Sequence, residues 1–197
     1  MVIRTINPAT RNLTISGNNL SRIFNINDGN YNNVLAVNLN NLTLTGGRTT
    51  ITNGGALGIQ DENVTITNST LNANSSSLRG GAIFVEGGTL ALSNSTLSGN
   101  TSSTEGGAIF NYFGTVNITN SSLTSNRANN YGGGAIYNYD GTINLTASTI
   151  TNNTVTSKGA GILNNRGTLG INTSTLSGNV ANLGGGFYNL SGSVAIA

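Results

Sequence analysis

GGAIFNYFGTVNITNSSLTSN occupies residues 106–126, GGAIYNYDGTINLTASTITNN residues 133–153 and GAGILNNRGTLGINTSTLSGN residues 159–179. Within the first of these, Val116 and Ile118 alternate with Asn117 and Thr119. A period of two marks a strand with one face turned inward and one outward. The unit recurs too quickly for a helix to be threaded between strands, and no segment carries a helical period.

Three apolar columns extend this pattern along the chain. The first runs Leu57, Ile83, Ile109, Ile136, Ile162, Phe187. The second runs Val37, Val64, Leu90, Val116, Ile143, Leu169, Val194, and the third Ile15, Leu44, Leu71, Leu97, Leu123, Ile150, Leu176. Successive members are 25–27 residues apart, except for the 29 between Ile15 and Leu44. Three columns advancing in step predict a right-handed parallel β-helix, a β-solenoid of about seven coils of roughly 26 residues with three strands per coil. Each strand then pairs with its equivalent one coil away, about 4.8 Å along the axis. A left-handed β-helix would show a strict hexapeptide, which is absent. The whole of residues 1–197 reads as one domain, with a protruding loop at 28–33 where the first coil carries extra residues.

Two asparagine columns accompany the strands. Asn18, Asn74, Asn100, Asn126, Asn153 and Asn179 follow the third apolar column, with Gly47 interrupting; Asn25, Asn111, Asn138, Asn164 and Asn189 follow the first. Stacked amides continue hydrogen bonding where a turn breaks the backbone ladder, and asparagine tolerates left-handed turns. The glycine pairs at 54–55, 80–81, 106–107, 133–134 and 184–185 mark a second turn, one that needs positive φ or close approach.

Composition removes whole classes of chemistry. The chain has no Cys and no His, so thiolate or imidazole metal sites and Ser–His or Cys–His nucleophiles are out. Charged residues make up 7%, and the eight basic ones are scattered, so the net charge of +2 gives no nucleic-acid surface. No apolar run is long enough to enter a membrane as a helix.

The GGAIFN, GGAIYN and NSTLSGN units resemble those of very large exported repeat proteins of cyanobacteria and other bacteria. More loosely, they are similar to the repeats of chlamydial polymorphic membrane proteins, whose companion F-x-x-N motif has a counterpart in Phe24-Asn25-Ile26-Asn27. The likeness covers roughly residues 12–197. It implies a β-helix, export, display at the cell surface and adhesion.

Several constellations bear on function. An aromatic stripe of Phe24, Phe84, Phe110, Tyr137 and Tyr188, with Tyr112 and Tyr139 beside it, follows the inward residues of the first column and so points outward. It reads either as a stacking surface for sugar rings or a partner, or as rings that stack to stabilise the coil beneath a loop. Asp61, Glu62 and Glu86 lie one coil apart and form the alternative acidic cluster, for Ca²⁺ or for acid–base chemistry; exposed loop carboxylates are the plainer reading. Arg79 and Glu105 precede glycine pairs in adjacent coils and suit a cross-coil ion pair. Thr43, Thr45, Thr70, Thr96, Thr124, Thr149, Thr151 and Thr175 belong to a two-column hydroxyl array around the third column, similar to the faces of ice-binding solenoids or simply a soluble sheet face.

The favoured expectation is a non-enzymatic extracellular or cell-surface solenoid, a scaffold or adhesin with no catalytic residues, metal or cofactor. Its partners are surface glycans or other solenoid segments meeting it end to end. The alternatives are a polysaccharide-binding or polysaccharide-degrading module of pectate-lyase-like fold and an ice-binding face. The pattern stops after the second strand of a coil at Ser193–Ala197, which suggests a piece of a longer solenoid.

Overall fold

The computed structural model describes residues 5–8, 13–31 and 33–197. Among these residues the chain is a parallel β-solenoid of about seven turns without a helix. Three long sheets run the length of the stack, of seven, eight and seven strands for the first, second and third columns. Their registers join the apolar residues of each column: Ile83 pairs with Ile109, Leu90 with Val116, and Leu97 with Leu123. These side chains fill a single core, and Leu97, Leu123 and Ile150 are completely buried at its centre.

A fourth sheet of two-residue strands closes each central coil: Arg48–Thr49, Ser75–Ser76, Thr101–Ser102, Arg127–Ala128 and Thr154–Val155. Two residues are too few to show a period, so the sequence gives no sign of it. Its inward column changes from Thr49, Ser76 and Ser102 to Ala128 and Val155 along the stack.

The corners are held by three side-chain ladders. At the corner between the third and fourth sheets, Asn74, Asn100, Asn126 and Asn153 are buried. Each donates its backbone N–H and its Nδ2 to the Oδ1 of the next coil's asparagine at 2.8–3.0 Å. Between the first and second sheets, Asn111, Asn138 and Asn164 donate Nδ2 to the following amide oxygen and to a glycine carbonyl three residues on. Between the second and third sheets, a serine ladder that simple periodicity does not reveal links Ser69, Ser95, Ser121, Ser148 and Ser174. Each of the first four donates its N–H to the hydroxyl of the next at 3.0–3.1 Å, and each of those hydroxyls donates to a carbonyl two residues back. At the corner that enters the first sheet, Gly106 has φ of +64°, and a Cβ on Gly107 would lie 2.0 Å from the Gly134 carbonyl oxygen of the next coil. Coils stack at that distance only with glycine there.

The first coil corrects the expected register. Phe24 pairs with Leu57 and Asn25 with Gly58, one residue away from the alignment the repeat suggests. Phe24 therefore packs on the core and is not part of the outward stripe, and Asn25 is outside the asparagine ladder. The physical reason is Arg22. Its guanidinium donates to the Gly54 and Asn53 carbonyls, to Thr52 and to Asn25, and occupies the space beside Gly58 where later coils place a ring. Burial pulls the Arg22 pKa below its ordinary value. Asn18 is likewise outside its ladder: it is exposed, has φ of +50° and bonds to Ser16.

Candidate functional site

The outward positions of the first sheet form two columns. The one nearer the glycine turn runs Phe84, Phe110, Tyr137, Leu163, Tyr188. Phe84 and Phe110 stack with centroids 5.8 Å apart, and Phe110 and Tyr137 at 5.0 Å. These rings point away from the core but are not free. Phe110, Tyr137 and Leu163 are buried in a satellite cluster. The chain entering each glycine turn covers them: the Arg79 guanidinium lies 5.0 Å over Phe110 while its Nε contacts Glu105 at 2.8 Å, and Lys158 lies over Tyr188. Of the two readings the sequence allows, Phe110 and Tyr137 take the second, a buried stack beneath a connection. Strand alternation states which side a residue faces, not whether that side is covered. Burial raises the Tyr137 phenol above its ordinary range, partly opposed by the hydrogen bond it accepts from Asn165.

The second outward column, Gln60, Glu86, Tyr112, Tyr139 and Asn165, borders the turn into the second sheet and is half-buried. Tyr112 and Tyr139 stack at 5.5 Å. Phe113, in the turn itself, is 56% exposed and sets its edge against Tyr112 at 4.4 Å and Tyr139 at 6.1 Å. Arg166 covers the outer face of Tyr139 at 4.6 Å, donates to its hydroxyl and pairs with Asp140, Nε to Oδ1 3.0 Å. Sequence reasoning passed over Phe113. The available signal was its column, otherwise Asp61, Gly87, Asp140, Arg166 and Ser191, in which an apolar ring stands alone.

The carboxylates separate. Glu62 is 1% exposed and accepts from the backbone N–H groups of Asp28 and Leu35, tying down the loop between them. Glu86 faces a cleft of about 290 Å³ shared with Arg22, Gln60, Phe84 and the apolar side chains of Ile51 and Leu78. Asp61 lies in a left-handed turn with φ of +58°. Among the described residues no three carboxylates come close enough together to hold a metal ion.

The second and third sheets form two adjoining faces of another character. Thr43, Thr70, Thr96, Ser122, Thr149 and Thr175 are in register, as are Thr45, Asn72, Ser98, Thr124, Thr151 and Ser177. The five-residue strands of the second sheet add outward Thr, Asn, Ser, Ala and Gly, with Asn144 donating to Asn117 at 2.8 Å. No strand of either sheet carries Asp, Glu, Lys or Arg among the described residues.

Residues 94–112 match the Chlamydia polymorphic membrane protein repeat. No curated protein and no solved structure matches the chain. The matched segment begins at the serine-ladder corner, crosses the third and fourth sheets through Asn100 and ends on the first-sheet strand Ile109–Tyr112. It contains the elements that make coils stack, namely the buried Ser95 and Asn100 and the Gly106–Gly107 turn. It stops one residue short of the exposed Phe113.

Proposed function

We propose that this chain is a non-enzymatic segment of a secreted or cell-surface β-solenoid that acts as a scaffold or adhesin. The observation that carries the reading is the segregation of charge. The second and third sheets offer two flat, uncharged, polar faces, while the charged side chains of the described residues lie on the first and fourth sheets and in turns and loops. A face built from Thr, Asn and Ser, without ionic repulsion and with a strict repeat along its axis, suits contact with extended surfaces better than capture of a small substrate. The polymorphic membrane protein repeat in residues 94–112 supports the same reading, as that family is one of adhesin-like surface proteins. A polysaccharide lyase or hydrolase on this fold requires converging carboxylates. Glu62 is committed to the 28–35 backbone and Asp140 to Arg166.

Antibodies raised against the purified chain are expected to label intact cells of the source organism. Labelling only after permeabilisation would overturn the surface assignment. Release of new reducing or unsaturated ends from polysaccharides incubated with the chain would overturn the non-enzymatic one.

A further inference from the structure

We propose that the ridge of Tyr112, Phe113 and Tyr139, with the Glu86 carboxylate beside it, binds a neutral hexose-containing glycan. The proposal rests on the surface reading above and names the chemistry of its ligand.

Two independent observations point there. The first is the conformation of Phe113. Its φ of +59° is in the left-handed region, where equivalent turns carry the polar Asp61, Asp140, Arg166 and Ser191 at +58°, +52°, +60° and +59°, or Gly87 at +66°. A bulky side chain is disfavoured there. Stability alone selects a small or polar residue, whereas this one places an apolar ring more than half in solvent. Strained residues gather where a ligand is held. The second is Glu86. It is half-buried, in register with Tyr112, and its carboxylate has no hydrogen-bond or ion-pair partner among the described residues. Every other carboxylate near an aromatic ring on this side is paired: Glu105 with Arg79 and Asp140 with Arg166.

These groups match a pyranose. Its apolar C–H face stacks on an aromatic ring, and its vicinal hydroxyls donate to a carboxylate in charge-assisted hydrogen bonds. Arg79 lies over Phe110 and Lys158 over Tyr188, and Arg166 and Tyr112 take the two faces of Tyr139, so the ring left open for stacking is Phe113, more than half in solvent beside the two tyrosines. Glu86, Tyr112 and Tyr139 follow one another along the stacking axis at about 4.8 Å, so an extended oligosaccharide lying along the axis meets them in turn. Charge sets the class. The free Glu86 repels uronic acids, the Arg22 that shares its cleft is spent on the Gly54 and Asn53 carbonyls, Thr52 and Asn25, and Asp140 is already paired with Arg166.

The test titrates cellohexaose, mannohexaose and hexagalacturonate into the native chain, followed by calorimetry and tyrosine fluorescence. Phe113→Gly is the informative variant, because glycine fits positive φ and so removes the ring while keeping the fold. We expect a neutral hexamer to bind and hexagalacturonate not to bind. Phe113→Gly should weaken binding by about tenfold or more with undiminished thermal stability, and Glu86→Gln should weaken it severalfold. Absence of binding by both neutral hexamers, or equal binding by native chain and Phe113→Gly, overturns the proposal. So does adherence to deglycosylated cells that is lost in Phe113→Gly, which would make the ridge a protein contact. Surface labelling of intact cells is read separately, so failure at the ridge leaves the scaffold reading standing.

Discussion

The buried amide oxygen of Asn111 is in register with Val85 of the preceding coil and finds no donor there. Asn111 is therefore the open end of a ladder whose later members, Asn138 and Asn164, both donate and accept. Position in the ladder sets the cost of losing an amide. Asn111→Val removes one orphaned oxygen as it creates another on Asn138. Asn138→Val orphans Asn164 Oδ1, deprives Asn111 Nδ2 of an acceptor and leaves the original orphan in place. Asn138→Val is expected to be the more destabilising by about 1–3 kcal/mol. Denaturant unfolding of the two variants checks this, and equal losses would show that the ladder does not act as a chain.

The same ladder shows what was legible in the sequence. From Leu57 onward the inward columns are visible because each strand must place apolar residues at a fixed spacing, and the paired registers follow those columns. The first coil is less legible because Ile23 and Phe24 are both apolar, and a slip of one residue exchanges inside for outside. The deciding feature is non-local: Arg22 fits beside Gly58. The serine ladder is hidden because Ser69, Ser95 and Ser121 are of the same type as the exposed serines around them. At the ridge, alternation assigns Phe110 and Tyr112 to one side, but only the packing of Arg79 shows that the first is covered and the second partly open.

Ser102 is fully buried in the fourth sheet, and its hydroxyl has no hydrogen-bond partner. Its neighbours in the same column resolve the problem in two ways: Thr49 and Ser76 donate to the Thr52 carbonyl, and Ala128 has no hydroxyl. Ser102→Ala should therefore stabilise the chain, by about 1 kcal/mol, or roughly 2–4 °C in Tm for a chain of this size. A lower Tm measured by circular dichroism would mean that the hydroxyl is satisfied.

Leu123 tests the core. It is completely buried between Leu97 and Ile150 in the third sheet. Leu123→Ala is expected to cost about 2–5 kcal/mol. Leu123→Asp should cost more, because its carboxylate would meet only apolar side chains and must be buried as an ion or protonated. In a stack where each coil contacts only its neighbours, the loss should be sharpest in the surrounding coils. Hydrogen exchange that rises uniformly along the chain would contradict that local picture, and an unchanged melting curve for Leu123→Asp would contradict the register itself.

Glu62 tests the loop between Ile26 and Ala36. This carboxylate is buried although its chain neighbours Asp61 and Asn63 are not, and its two oxygens accept from Asp28 and Leu35, on opposite sides of the loop. Inside that clamp, Asp28 accepts from the Asn30 N–H at 2.8 Å and Tyr31 accepts from Gln60 at 3.1 Å. Hydrogen bonds to a charged acceptor contribute about 1.5–3 kcal/mol each, more than the neutral bonds within the loop. Glu62→Ala removes both at once and leaves the Asp28 and Leu35 N–H groups to water. Asp28, Gly29, Asn30, Tyr31, Asn33 and Val34 are exposed, so release of the loop should register locally. We expect limited proteolysis to cut between residues 27 and 35 much faster in Glu62→Ala, with protection retained at Leu97 and Leu123. Glu62→Gln should fall between the two, since its amide keeps one acceptor oxygen and faces the second N–H with a donor. Equal cleavage rates in native chain and Glu62→Ala would show that the loop is held by its own turns rather than by the buried carboxylate.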